Sequence, residues 1–310
     1  MLQKQKSESR IAVYYELTKP KIWYLLVFTA FGAILTASNI YGIEVSPATW
    51  ALALFSVAAG SAAANTLTNY HDRDIDAIME RTKNRPLPSK RIFPAVKARN
   101  FGLALAGISL VLAFAISFTT TLEQGLWATA FIAFGLANNV LVYSYALKRN
   151  SRTNIILGGL CGGAPPMVGW VAVTMSDLWT MGLAMAGLVF IWIPMHIWAL
   201  TLHFKEDYNK VDVPMLTAVQ SEKTSSRVIA ISTFVMVLFS ITPFFMLTET
   251  NEPMVGPVYL WTAIASGIVM VALSTWVMSK PMEKAAWTLF KFSSPYLAVL
   301  FIALMVDSAL

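Results

Sequence analysis

The sequence predicts an all-α membrane protein, one bundle of nine transmembrane helices with its N-terminus inside and its C-terminus outside. Three observations lead there. Of 310 residues, 56% are hydrophobic and only 13% charged, whereas a soluble domain carries about 25% charged residues to wet its surface. The apolar residues gather in runs of about 20, the length a helix needs to cross a hydrocarbon core. With those runs alternating in direction, all 23 lysines and arginines fall on one side, and that bias sets orientation.

In chain order the runs lie near residues 22–38, 50–70, 101–118, 126–143, 155–174, 179–200, 228–247, 258–278 and 289–306. The first reads as a membrane anchor and not a cleaved leader, because the polar stretch before it includes Glu8 and Glu16. Pro165-Pro166 in the fifth run and Pro194 in the sixth are tolerated in a bundle whose neighbours re-satisfy the freed carbonyls. Basic residues occupy the N-terminus, from Lys4 and Lys6 onward, and the loops after the second, fourth, sixth and eighth runs, the last including Lys280. The opposite loops hold only Glu44, Glu123, Asp177, Glu249 and Glu252, with Asp307 by the C-terminus. One missed or invented helix would break this segregation. It also accounts for the net charge of +6 without nucleic acid as a partner. No composition shift or long linker divides the chain, so residues 1–310 read as a single domain.

The lone cysteine, Cys161, rules out an internal disulfide, a paired-cysteine metal motif and a haem-attachment motif. Within GGLCGGAPP it reads as a small packed hydrophobe.

Chemistry concentrates where the second and sixth helices leave the membrane. In the first cluster, Asn65, Asn69, Asp72 and Asp76 fall within roughly a 60° stripe of one helix face, with Asp74 opposite. Two carboxylates one turn apart, topped by amide oxygens, suit Mg²⁺, which takes hard oxygen ligands and bridges them to substrate phosphates. A solvated helix end pairing with Arg73 and Arg81 is the plain alternative. Arg81, Lys83 and Arg85 follow; they suit a diphosphate grip and equally an ordinary positive inner loop. The second cluster places His196, His203 and Asp207 on one helix face, with Lys205 beside them. A deep histidine such as His196 reads as a satisfied core residue, a proton carrier or a ligand for a metalloporphyrin.

DRDIDAIMERTKNRPL at 72–87 resembles the first signature of the UbiA superfamily of membrane prenyltransferases. ELTKPK at 16–21, NIILGGLCGGAPPMVGW at 154–170, PMHIWAL at 194–200, EDYNKVDVPML at 206–216 and LFKFSSPYLAVLF at 289–301 extend the likeness over nearly the whole chain. The glycine-rich stretch and the histidine of the sixth helix point to its haem branch. The resemblance implies a lateral, lipid-facing cavity and transfer of a farnesyl group from farnesyl diphosphate to a vinyl group of haem B, giving haem O. It implies Mg²⁺ at Asp72, Asp76 and Asp207. Arg81, Lys83, Arg85 and Lys205 become diphosphate grips and His196 the residue against haem; the helix-face stripe adds Asn65 and Asn69, with Thr68 beside them, as substrate contacts, and Tyr143 is a candidate aromatic face for an allylic cation. It further implies a plasma-membrane location, active-site loops on the cytoplasmic side and haem A synthase or oxidase assembly as downstream partners. Two departures stand out. The family's asparagine position is Thr68, with Asn69 beside it, and four residues after Asp207 comes Val211, the next acid being Asp212.

A sister enzyme acting on a quinone precursor, chlorin or ether-lipid acceptor is the nearest alternative, disfavoured by His196. A transporter would concentrate its ionisable residues at the bilayer midplane, whereas these aspartates lie at helix ends. A haem chaperone without catalysis would leave Asp72 and Asp76 with no metal to bind. The topology is directly testable: reporters fused at the N-terminus and at Lys90 are expected on one side of the membrane, and one after Leu310 on the other. A C-terminal reporter on the same side as Lys90 would remove the nine-helix count.

Overall fold

Nine helices long and apolar enough to cross a membrane are found among the described residues of the computed structural model, which are 9–248, 250–279 and 282–310. They are α1 Pro20–Tyr41, α2 Pro47–His71, α3 Val96–Phe118, α4 Leu122–Leu147, α5 Asn154–Val171, α6 Leu178–His203, α7 Glu222–Phe245, α8 Pro257–Val277 and α9 Met282–Asp307. Each coincides with one of the nine apolar runs, with α5, α7 and α8 stopping before the end of theirs. Several begin earlier than their run, α3, α7 and α9 most clearly, because helical hydrogen bonding continues through polar residues that sit in the interface. Lys4, Lys6, Glu8, Glu249 and Lys280 lie outside the described residues.

Consecutive helices pack side by side, and α9 closes the ring against α1. α5 is the inner helix, packing on α1, α4 and α6. Its apolar window is 78% buried against 22% in α3 and α4, so the latter two face lipid. α3 accordingly exposes Leu103, Ile108, Val111 and Phe114, a patch that would mark an interface in a soluble protein but is matched by lipid tails here.

Small residues make the inner position of α5 feasible, since backbones in membranes approach through them. A Cβ on Gly169 would lie 2.3 Å from the Ala30 carbonyl oxygen of α1. One on Gly158 would lie 2.6 Å from the Tyr143 ring. α5 is not uniform: Gly159–Gly163 wind as a 3₁₀ turn between two α-helical pieces, and the end of α4, Asn138–Leu147, is π-helical.

Ahead of α1, the short helix Arg10–Leu17 buries Val13 and Leu17 against Leu87 and Ile92 of the loop after α2 and Ala98 of α3. Arg91 and Glu16 tie the two together at 2.7 Å. Every described lysine and arginine lies at the end of the bundle where odd-numbered helices begin and even-numbered ones finish. One end of the molecule is therefore cationic, and the two loops that bear the aspartates share it.

The close approach at Gly169 is expected to govern stability. Gly169→Ala should cost about 3 kcal/mol or more, since a backbone carbonyl must move. Gly107→Ala, where a Cβ meets open space, should leave thermal unfolding in detergent unchanged. Equal melting of the two variants would remove α5 as the packing pivot.

Candidate active site

α2 ends at His71, Asp72 turns with φ −86° and ψ 3°, and the short helix Arg73–Ile78 follows. Hydrogen bonds bridge the junction, from the Asp72 amide to the Thr68 carbonyl at 2.9 Å and from the Asp76 amide to the Asp72 carbonyl at 2.8 Å. Helical phase is thus kept across the junction. Asn69, Asp72 and Asp76 are all buried. Asp74 stands outside, paired with Arg149 at 2.7 and 2.8 Å. Arg149 holds the Asp74 carboxyl down to about 2.

Each buried acid meets a protein partner. Lys148 donates to Asp72 Oδ2. Arg85 Nη1 donates to both Asp76 oxygens at 2.8 and 2.9 Å. Asp207 accepts from the backbone amides of Arg81 at 3.0 Å and Glu80 at 3.3 Å, with Lys210 at 3.6 Å. The second loop is thereby clamped to the first. Burial opposes the charge on Lys148, yet Tyr143 and Asp72 hold its ammonium above the ordinary value. Burial, reinforced by Arg85, pulls Lys19 down to about 7. Lys19 thus sits near the point of losing its proton, and an entering anion would favour its charged form.

The remaining predicted residues divide. Arg81 reaches the Tyr208 hydroxyl at 3.3 Å and lies 5.4 Å over the Phe204 ring, facing the second loop. Lys83 is exposed and pairs with Glu80 at 2.5 Å. Lys205 donates to the Gln220 carbonyl at 3.1 Å. Tyr143 packs on Gly158 with its ring 5.8 Å from Lys148 Nζ. Asp212 is exposed in a turn with φ 51°. The Thr68 hydroxyl is tied to Asn139 Oδ1 and Ser144 Oγ of α4, both at 3.1 Å. Asn69 donates its amide nitrogen to the Leu17 carbonyl at 2.8 Å.

The sixth-helix face is not continuous as far as Asp207. α6 stops at His203, Phe204 breaks it with φ −104° and ψ 30°, and Asp207 belongs to the separate turn Lys205–Asn209. That break turns Asp207 toward the amides of the first loop. The histidines stay with α9: His196 lies between Trp192 and Phe290, and His203 stacks on Trp287.

Among the described residues no three His, Cys, Asp or Glu side chains are grouped as a metal centre, so Asp72, Asp76 and Asp207 do not converge on one point. The donor chemistry nonetheless fits a hard cation. Asp72 Oδ1 and Asn69 Oδ1 are buried without a hydrogen-bond partner among the described residues. Such atoms are costly to leave unsatisfied, and oxygen is what Mg²⁺ takes. Below them a narrow cleft of about 90 Å³ runs between α1, α2, α4 and α5, lined by Asn65, Leu26, Gly60, Ala64, Ile132 and Leu136.

Lys19 and Lys148 were not singled out from sequence. Lys19 sits inside the matching stretch ELTKPK, which was its only signal; Lys148 looked like any basic loop residue.

The model of the UbiA prenyltransferase family matches residues 25–303. The chain belongs to that family. It is a multi-pass membrane prenyltransferase. "Protoheme IX farnesyltransferase 2" of Cenarchaeum symbiosum is 73% identical, covering 100% of this chain and 99% of the relative. "Protoheme IX farnesyltransferase" of Thermoplasma volcanium is 40% identical, covering 96% and 98%. Among solved structures, a digeranylgeranylglyceryl phosphate synthase superposes with TM-score 0.73 at 19% identity, covering 96% of this chain and 98% of that one. A UbiA homologue from Archaeoglobus fulgidus, bound to DMAPP and Mg²⁺, gives 0.64 at 15% identity with the same coverage. These two establish the UbiA fold.

The free oxygen on Asn69 generates a prediction. Asn69→Ala should lower prenyl transfer by about 10-fold or more and weaken its metal dependence, while Thr68→Ala should chiefly lower thermal stability. Asp74→Asn should be mild and Asp76→Asn severe. The reverse order at 68 and 69 in a transfer assay would show that the threonine hydroxyl serves the site.

Proposed function

We propose that this UbiA-family enzyme transfers a farnesyl group from farnesyl diphosphate to a vinyl group of haem B, forming haem O. The carrying observation is the end-to-end relationship to proteins named protoheme IX farnesyltransferase, at 73% identity in the first case. The buried Asn69–Asp72–Asp76 stripe supports it. The sister reading, with a quinone, chlorin or ether-lipid acceptor, is not favoured by those relatives. The whole chain acts as one membrane-embedded domain, with the cationic end toward the cytoplasm and the bilayer that of the cell.

Asp72 and Asp76, with Asn69, would hold Mg²⁺, and Asp207 keeps the second loop against that site. When bound, the metal supplies Lewis-acid stabilisation of the leaving diphosphate. Arg85 and Lys148 are already in place beside the two acids, and with Lys19 and Arg81 they receive the diphosphate oxygens in charge-assisted hydrogen bonds. Lys83 and Lys205 stand further out on the two loops and draw the anion in. The prenyl chain occupies the apolar cleft below Asn65. In the reaction the allylic carbon–oxygen bond breaks, the carbon bonds to the vinyl terminus, and water adds its oxygen and loses a proton. Tyr143 offers a π-face beside the breaking bond, and the closed bundle keeps bulk water from the allylic cation. The product passes to haem A synthase or oxidase assembly.

Purified protein given haem B, farnesyl diphosphate and Mg²⁺ is expected to yield haem O by mass spectrometry, with loss of product on chelation. Haem B left unchanged while a quinone precursor or lipid is prenylated would overturn the acceptor assignment and leave the family intact.

A further inference from the structure

The short helix Arg10–Leu17 carries two stripes of side chains. Val13 and Leu17 form the buried one, against the loop after α2 and the start of α3. Arg10, Ile11, Tyr14 and Tyr15, with Thr18 just beyond, fall at i, i+1, i+4, i+5 and i+8, a second stripe roughly 140° wide. That stripe lines a groove of about 710 Å³, and Ile11 on it is 82% exposed. The rest of the lining is Ala58, Ala59 and Ala62 of α2, Trp23 of α1, and Phe101 and Leu105 of α3. On α2 these alanines occupy the face opposite Val57, Gly60, Ser61 and Ala64, which line the inner cleft. The groove is therefore on the outer, lipid side of α2 and separate from the buried acids.

Its direction and its charge both describe a lipid. Phe101 stands in the second turn of α3, whereas Ala58 lies roughly 20 Å inside the end of α2 at 1.5 Å per residue. The groove thus runs from the cationic end toward the bilayer centre, as a hydrocarbon chain does. Tyr14, Tyr15 and Trp23 are aromatic residues of the kind that sit at headgroup level. Arg10 is the one charged residue among those lining it, and its side chain makes no hydrogen bond or ion pair among the described residues. Arg10 opens its helix, where Ser9 supplies no side-chain cap and the first turn holds no acid. The first amides of that helix therefore lack an intrahelical partner and carry the positive end of its dipole. An apolar groove with a cationic mouth fits an amphiphile that has a long chain and an anionic head.

We propose that an acidic phospholipid docks here, one chain along the α2 alanines and its phosphate on Arg10 and the first amides of the short helix. Occupancy fixes the helix that ends at Leu17, whose carbonyl accepts from Asn69 Nδ2 at 2.8 Å. Thr18 joins the groove to that contact. Its hydroxyl donates to the Tyr15 carbonyl at 2.7 Å and accepts from Trp23 Nε1 at 3.2 Å, tying the short helix to α1. A lipid in the groove thereby steadies the Asn69 side chain. This last link rests on the metal role proposed above for Asn69; the docking site does not.

Native mass spectrometry of the full-length protein, titrated with phosphatidylglycerol or phosphatidylcholine of identical chains, tests the site. Wild type is expected to hold one phosphatidylglycerol about 5-fold or more tighter than phosphatidylcholine. Arg10→Gln should lose that preference and Arg10→Lys keep part of it. Arg99→Gln, which removes an exposed cation outside the lining, should keep all of it. Ala59→Phe should weaken both lipids, because its ring takes the place of the chain. Phosphatidylglycerol should slow hydrogen exchange over residues 10–18 in wild type and not in Arg10→Gln, with thermal unfolding confirming that each variant is folded. In nanodiscs it should also lower the Mg²⁺ concentration for half-maximal prenyl transfer by wild type and not by Ala59→Phe. Equal affinity of wild type for the two lipids overturns the proposal. So does equal loss of preference in Arg10→Gln and Arg99→Gln, which would leave only the general positive potential of this end. A lipid-free dimer that Ala59→Phe dissociates would make a second copy the occupant and overturn it as well. Unchanged exchange over residues 10–18, or an unchanged Mg²⁺ requirement, removes the link to Asn69. None of these measurements reads the acceptor, so haem O formation stands or falls by its own assay.

Discussion

A carboxylate buried at the end of a membrane bundle has to meet a cation or hydrogen-bond donors, because removing one partner of a buried pair costs roughly 3–5 kcal/mol. Asp72 and Asp76 obey this through Lys148 and Arg85, and Asp207 through two backbone amides. These bonds do more than neutralise charge. They bring the end of α4 and both inner loops together around the end of α2. The cationic end of the molecule is therefore organised before any substrate arrives, by the same groups that suit a diphosphate and its metal. Among the described residues, Asp72 Oδ1 and Asn69 Oδ1 are buried oxygens of this array left without a hydrogen-bond partner.

The apolar body of the bundle follows a different rule. Lipid tails are as apolar as leucine, so association of helices depends on close packing. α5 meets that requirement with glycines at its contacts with α1, α4 and α6, and α3 and α4 turn large side chains outward. One consequence reaches the site: Gly158 leaves room for the Tyr143 ring, and Tyr143 in turn lies beside Lys148. Packing of the inner helix thus reaches the Lys148–Asp72 pair through one aromatic side chain.

Beginning next to the ion-paired loops, α6 and α9 are joined by stacked rings. The two regions rest on different interactions. One gathers buried carboxylates and cations, where charge-assisted bonds are strongest, and the other is an aromatic column held by ring stacking and by the Ser293 contact to His196. The break at Phe204 separates them, ending α6 at its second histidine and sending Asp207 to the first loop.

Sequence alone determined the helix count, because the hydrocarbon core demands runs of about 20 apolar residues and the asymmetry of Lys and Arg tolerates no odd helix. It likewise determined the Asn69–Asp72–Asp76 stripe and the outward position of Asp74, since helical phase is local and continues through the Asp72 junction. Local phase could not reveal what spans different helices. Lys148 lies 76 residues from Asp72, and Ser293 lies 97 from His196; neither has a spacing to be read. The shared face of His196 and Asp207 was read by extending one helix through Phe204, where the chain breaks instead. Tertiary structure decided these, because a buried charge or ring nitrogen takes the partner that folding brings nearest, whatever its distance along the chain.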